Sequence, residues 1–214
     1  VLFRSLLSLG LDRSWRRRLV RAAGTPGPVT KLLDLATGTA DVALDLAEAY
    51  PQSQIAGLDP SEGMLAVGQE KVTRSELDGR VSLHVGDAQA LPFAARTFDG
   101  ITIAFGIRNI PDRSQALREM ARVGRRGAAV AILELGEPEG GLMAWLARFH
   151  IHVLVPILGR VFSGANEYHY LQESIAAFPP PEEFANLMSR AGLVDVKLEP
   201  LCFGVANLYV GRVA

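Results

Sequence analysis

Apolar positions along the chain fall into two alternating rhythms. Runs that are apolar at nearly every position occur at "TKLLDLA" (30–36), "QIAGLD" (54–59), "VSLHV" (81–85), "GITIAF" (100–105) and "AAVAILEL" (128–135). Each has the length of a buried strand. Between them lie stretches with helical spacing: "ADVALDLAEAY" (40–50), with Val42, Leu46 and Ala49 on one face, "EGMLAVGQEKV" (62–72), for which Ser61 offers an N-cap, and "SQALREMARV" (114–123). Strand and helix in regular alternation predict a parallel sheet with right-handed crossovers.

Beyond residue 135 the rhythm changes. "GEPEGG" (136–141) leads into a long apolar tract, then "NEYHYLQESI" (166–175), then "FPPPEEFANLMSRAG" (178–192), whose prolines start a helix that Gly192 stops. "VDVKLEPL" (194–201) and "GVANLYVGRV" (204–213) are separated by a short connection, so they are expected to pair antiparallel. The expected architecture is α/β, one domain of 214 residues. It has an N-terminal helical cap over 1–29, read as shortened, a ligand-binding core over 30–135, a helical insertion over 136–180, and a C-terminal helix and hairpin over 181–214.

Charge narrows the classes of partner. Lys plus Arg is 22 and Asp plus Glu is 23, a formal net charge of -1, which does not favour nucleic acid. Cys202 is the sole cysteine, so no internal disulfide and no cysteine-based zinc site can form, and no metal is expected. A reducing, cytoplasmic setting follows, and the opening "VLFRS" lacks the pattern of a signal peptide. The tract "GLMAWLARFHIHVLVPILG" (141–159) approaches the length of a bilayer span, but Arg148, His150 and His152 interrupt it. A mid-bilayer charge costs about 2.5–3.5 kcal/mol, so a spanning helix is not expected. "LDRSWRRRLVR" (11–21) is basic and amphipathic. It suits an anionic membrane surface or an ordinary solvated helix face equally well.

Three strand ends carry candidate chemistry, at the edge where open α/β sheets bind ligands. Asp34 lies in the first strand, and Ala36, Thr37, Gly38, Thr39 and Ala40 form a turn small enough for backbone N–H groups to approach a ligand. Asp59 ends the second strand about 20 residues on, where an acid accepts ribose hydroxyls; an N-cap role is the alternative. Asp87 follows the third strand, with Ala88 beside it and Leu91, Pro92 and Phe93 as an apolar wall, an order suited to the amino edge and face of adenine. The spacing is not G-x-G-x-x-G, and three acids on three strand ends describe S-adenosylmethionine better than NAD.

With these residues in view the chain resembles the menaquinone and ubiquinone biosynthesis C-methyltransferases, within the class I S-adenosylmethionine methyltransferases of Rossmann-like fold. The stretches that carry the resemblance are "LLSLGLDRSWRR", "LLDLATGTADVAL", "GLDPSEGMLAVGQEKV", "GDAQALPF", "FDGITIAFGIRNIPD", "ALREMARV", "YHYLQESI" and "LMSRAGLVDVK". The pairing of "FGIRN" with "YLQESI" is the most specific. The resemblance implies methyl transfer to a ring carbon of a reduced prenylated quinone, with demethylmenaquinol as the leading acceptor. Alternatives are the methoxy-polyprenyl-benzoquinol of ubiquinone biosynthesis, another small aromatic acceptor, or cofactor binding without catalysis. It implies cofactor contacts at Thr39, Asp59, Asp87, Ala88 and Ala104. Asp34, Gly38 and Met64 complete the candidate set. Ala40 stands where the family usually has glycine, "VGRRGAAV" replaces a Lys-Pro-Gly-Gly turn, and Ala104 replaces a common serine.

Arg108 and Asn109 follow the fourth strand directly. A hydroquinone ring carbon becomes nucleophilic as the adjacent hydroxyl loses its proton. Arg108 is suited to stabilise that oxyanion and Asn109 to orient the hydroxyl. Arginine stays protonated, so the base is expected to be a held water or a histidine, with His150 the first candidate and His152 and His169 behind it. The bland alternative for Arg108 is a salt bridge to Asp112 or Glu119. Phe105, Tyr168 and Tyr170 are candidate walls of the ring pocket, and the tract 142–158 is a candidate lining for the prenyl tail. Peripheral contact with the inner face of a membrane and a homodimer complete the expectations.

Overall fold

The computed structural model describes residues 12–24, 29–136, 174–175 and 177–214. In chain order these form α1 (Asp12–Ala22), β1 (Lys31–Leu35), α2 (Asp41–Ala49), β2 (Gln54–Asp59), α3 (Glu62–Arg74), β3 (Val81–Val85), β4 (Phe98–Ala104), a short 3-10 turn (Ile107–Asn109), α4 (Arg113–Val123), β5 (Gly124–Leu135), α5 (Pro181–Arg190), β6 (Leu193–Leu201) and β7 (Ala206–Val213). The seven strands make one sheet in the order β3-β2-β1-β4-β5-β7-β6. The first five are mutually parallel, and β7 runs antiparallel to both β5 and β6. The expected C-terminal hairpin is therefore present. Its second strand, rather than its first, docks on the parallel sheet, a choice that local pairing rules do not make.

Helices cover both faces. On one side Trp15, Leu19 and Val20 of α1 pack with Val42 and Leu46 of α2 over Leu32, Ile55 and Leu133. On the other, Leu117 and Met120 of α4 and Phe184 and Met188 of α5 cover Leu33, Leu35, Ile101, Ile103 and Tyr209. Burial on both faces explains why the central strands read as continuous apolar runs. Local signals set the ends. The Ser61 hydroxyl accepts from Met64 N at the start of α3, Asp112 accepts from Gln115 N at the start of α4, and Gly192, with φ at 98°, ends α5.

Two expectations change. The start of β5 lies at Gly124 rather than residue 128, because "GRRG" bulges out of the ladder: Phe98 pairs Gly124, but Gly100 already pairs Ala129. The basic stretch at the N-terminus keeps its helix, but its apolar side is packed into the core and not open to lipid. Its arginines form a solvated face, with Arg16 3.4 Å from both Asp41 and Asp45 and Arg18 paired with Glu199. Among the described residues no helix is long and apolar enough to cross a membrane.

Helix α1 is seated by a close backbone approach to β4. A Cβ on Gly100 would stand 2.3 Å from the Ala23 carbonyl oxygen and 2.8 Å from a Leu32 methyl. Gly100→Ala is therefore expected to destabilise the protein by about 1–3 kcal/mol, the usual cost of overpacking. Urea denaturation should show a lower midpoint at unchanged slope.

Candidate functional site

A cleft of about 650 Å³ opens at the carboxyl ends of β1, β2, β3 and β4 and falls within the size range of small-molecule sites. Its floor is the turn after β1. Ala36, Gly38 and Ala40 all have positive φ, at 49°, 54° and 64°. That left-handed backbone costs a non-glycine residue roughly 1–2 kcal/mol, so Ala40 occupies at some cost a position where glycine would be free of strain. A Cβ on Gly38 would meet the Met64 methyl at 2.7 Å, which is why the turn can lie close under α3.

Asp59 holds this turn in place. It is buried, with one oxygen accepting from Gly38 N at 2.9 Å and the other from Ser61 N at 2.9 Å. One carboxylate thus ties the β1 turn to the start of α3, and each oxygen has a further lone pair able to accept from another donor. Asp34 lies deeper. Its two oxygens accept from the Thr37 hydroxyl at 2.6 Å and the Thr102 hydroxyl at 2.8 Å. Burial pushes its carboxyl up to about 7, against the pull of the two hydroxyls. Thr39 accepts from Lys71 Nζ at 2.9 Å, and Lys71 reaches Asp41 at 2.6 Å, so the far side of the turn is braced as well.

The cleft wall carries the remaining expected cofactor residues. Asp87 is exposed and held by Gln89, whose main-chain N lies 2.8 Å from one oxygen. Ala88 is buried beside it, and Met64 is half-exposed on α3. Ala104 and Phe105 close the β4 side. Phe105 leaves the strand with φ at 56°, donating its N–H to the Leu133 carbonyl at 2.8 Å, and its ring lies 6.5 Å from Trp15. All eight expected cofactor residues, Asp34, Gly38, Thr39, Asp59, Met64, Asp87, Ala88 and Ala104, line this one cleft, together with Phe105 and Asn109.

Arg108 is placed differently. Its side chain is only 10% exposed and pairs with Glu134, at the end of β5, at 2.5 Å. Neither of the expected salt-bridge partners is used: Asp112 caps α4, and Glu119 pairs with Arg122 at 2.6 Å. Arg108 is not among the residues that line the cleft; it precedes cleft-lining Asn109 in the turn after β4. Burial raises the Glu134 carboxyl, and the Arg108 cation opposes that rise. His150, His152, His169, Tyr168 and Tyr170, with the tract 142–158, lie outside the described residues. Among the described residues no cluster of His, Cys, Asp or Glu could hold a metal.

Thr102, Gln89 and Glu134 were not singled out from sequence, and Thr37 only as part of the turn. Glu134 had a usable signal: an acid inside the apolar run "AAVAILEL" demands a buried partner, and Arg108 follows the neighbouring strand.

Strand order, the antiparallel seventh strand and the cleft at the carboxyl ends define the fold of S-adenosylmethionine-dependent methyltransferases. An S-adenosylmethionine-dependent methyltransferase from Aquifex aeolicus shares it at a TM-score of 0.68 and 16% identity, over 93% of this chain and 89% of that one. Phosphoethanolamine N-methyltransferase 2 of Haemonchus contortus, solved with S-adenosyl-L-methionine, matches at 0.69 and 17%, over 93% and 52%. The family is narrower. Residues 2–212 match the model of the ubiE/COQ5 methyltransferase family, and the chain belongs to it. It is 43% identical over 208 residues to the ubiquinone/menaquinone biosynthesis C-methyltransferase UbiE of Geobacter sulfurreducens, covering 97% of this chain and 81% of that protein. Identity to the demethylmenaquinone methyltransferase of Bacteroides fragilis is 40% over 204 residues, covering 95% and 83%.

The state of Asp34 sets a pH dependence. Its folded carboxyl titrates near 7 against 3.8 for the free group, so the native state holds a proton that the unfolded chain releases first. The associated stability is complete below pH about 4 and is lost as pH rises through about 7, a change of roughly 4 kcal/mol. Ligand-free Asp34→Asn is expected to lose this slope. Denaturant midpoints of mutant and parent, measured at acid and mildly alkaline pH, check it.

Proposed function

We propose that this protein transfers the methyl group of S-adenosylmethionine to a ring carbon of a reduced prenylated quinone, converting demethylmenaquinol to menaquinol. One observation carries the reading: three acids on successive strand ends meet a small-residue turn in a single cleft, and that cleft is bounded by the Arg108–Asn109 turn. Membership of the ubiE/COQ5 family supplies the acceptor class, and the two relatives' names bear both the menaquinone and the ubiquinone branch.

The donor set fits the nucleoside and its amino-acid tail. The remaining lone pairs of Asp59 suit two ribose hydroxyls, and Asp87 beside the buried Ala88 suits an adenine edge and face. Asp34, raised to about 7 and so partly protonated at neutral pH when alone, ionises more readily beside a cationic ammonium or sulfonium, so binding is expected to release a proton and to tighten as pH rises through 7. When bound, S-adenosylmethionine supplies a methyl carbon activated by positive sulfur. The chain's own work is then to orient the acceptor, exclude water and manage one proton.

Ionisation of the quinol hydroxyl places charge on the ortho carbon. The Arg108 guanidinium, a permanent cation, stabilises that oxyanion, and Asn109 at the cleft orients the hydroxyl. A water or a histidine from the segment holding His150 takes the hydroxyl proton. The ring carbon then bonds the methyl as the methyl–sulfur bond breaks and S-adenosylhomocysteine leaves; loss of the proton on that carbon restores the aromatic ring, and reprotonation of the oxygen leaves one proton released net. Tyr168, Tyr170 and Phe105 are assigned to the ring pocket. A polyprenyl tail resides in lipid, so the enzyme is proposed to work at a membrane surface, where the exposed Arg13, Arg17 and Arg21 of α1 offer charge to anionic headgroups. A homodimer remains part of the proposal.

Anaerobic transfer of labelled methyl to a short-chain demethylmenaquinone tests the reading. Transfer is expected to the reduced acceptor and not to the oxidised one. A methoxybenzoquinol offered in parallel decides the branch. Arg108→Ala should lower kcat by about 10²–10³-fold, the usual cost of one oxyanion donor, with the S-adenosylmethionine Kd nearly unchanged. A Kd that weakens in step with kcat would remove Arg108 from the acceptor side.

A further inference from the structure

The Arg108 residue is gripped at three places. Glu134, fully buried at the end of β5, accepts the Arg108 main-chain N–H through one oxygen at 3.2 Å and Nη1 through the other at 2.5 Å. The second oxygen also accepts from Leu135 N at 2.8 Å, which fixes the carboxylate itself. Nη1 donates in addition to the Phe105 carbonyl at 2.7 Å. From α4, Arg113 donates to the Arg108 carbonyl at 2.9 Å, with its guanidinium carbon 5.4 Å from the centre of the Phe178 ring.

Of the guanidinium, this anchoring uses only Nη1. Nε of Arg108 is buried with no acceptor among the described residues, and no described residue accepts from Nη2. A buried donor left unpaired is costly and calls for a reason. The Nε–Nη2 edge is also the edge of the fork that presents two parallel N–H groups to an anion.

We propose that Glu134 is the positioning residue of the methylation: it pins Nη1 and the backbone of Arg108 so that the Nε–Nη2 edge is the one presented to the quinol oxygen. The proposal rests on the reading of Arg108 given above and adds the residue that aims it. Glu134 also tempers the field. With its carboxylate beside the guanidinium, the oxyanion meets a cation already partly compensated. Among the described residues, the other charged or titratable groups near the pair are Arg113 from α4, Tyr209 from β7, and, facing Tyr209, Glu182 from α5.

The test compares Glu134→Gln, Glu134→Asp, Arg108→Ala and Arg108→Ala/Glu134→Gln. Each is measured by kcat with reduced demethylmenaquinone across neutral and alkaline pH, and by calorimetric binding of S-adenosylmethionine. E134Q is expected to lower kcat by about 10²-fold, the scale of a roughly 1 Å misplacement, at unchanged cofactor Kd. Its rising limb of kcat against pH should move toward acid, because the oxyanion now faces an uncompensated cation. In the R108A background E134Q should cost nothing further. E134D keeps the charge on a shorter arm; it should lose about tenfold in kcat with the limb in place, and it decides the matter if E134Q fails to fold. Losses that add in the double variant, or a kcat that falls together with cofactor affinity while the limb stays put, would overturn the proposal. An R108A variant of full activity would instead remove the reading on which it rests.

Discussion

The carboxylate of Asp59 is the interaction on which the rest of the site depends. It stands at the end of β2, yet its two hydrogen bonds go to Gly38 N in the turn after β1 and to Ser61 N ahead of α3. Three elements are thereby set in register by one buried side chain. The turn it holds contains three left-handed residues, two of them alanines. Such strain persists only where surrounding structure over-determines it. Here Asp59 on one side and Lys71, bridging Thr39 and Asp41, on the other do so. The small floor of the cleft is a product of that clamp.

Two further acids are buried in the sheet, and they solve the same problem in opposite ways. Among the described residues Asp34 has two hydroxyls and no cation as partners, and it responds to burial by holding its proton more tightly. Glu134 has a guanidinium, which opposes the same tendency. The first arrangement leaves a group whose charge a cationic ligand can call up. The second makes a buried ion pair on the residue that precedes cleft-lining Asn109. In the proposed reaction the first is the proton-responsive end for the cofactor and the second the permanently charged end for the acceptor.

Much of the architecture was legible because burial on both faces makes β1 to β5 read as apolar runs, and because Ser61 and Gly192 mark helix ends by local chemistry. That the eight candidate cofactor residues share one cleft was legible for a related reason: most sit at or just past strand ends, which sequence spacing locates. What escaped was non-local. The bulge at Gly124–Ala129 depends on the ladder with β4, and the insertion of β7 beside β5 depends on which hairpin strand meets the sheet. Sequence offered Arg108 the near neighbours Asp112 and Glu119, and Glu173, which lies outside the described residues, whereas the sheet brings Glu134 from 26 residues away. The amphipathic pattern of α1 was correct, but period alone does not say whether its apolar side meets lipid or core. The core took Trp15, Leu19 and Val20.

The central claim is that this cleft, with Asp59 at its hinge, receives S-adenosylmethionine. A crystal structure of the protein with S-adenosylhomocysteine tests it most directly. The account predicts the ribose hydroxyls on the free lone pairs of Asp59, the adenine against Ala88 with its amino edge toward Asp87, and the Gly38 and Ser61 contacts of Asp59 retained. A nucleoside bound elsewhere, or one seated in the cleft with Asp59 turned away from it, would contradict the account.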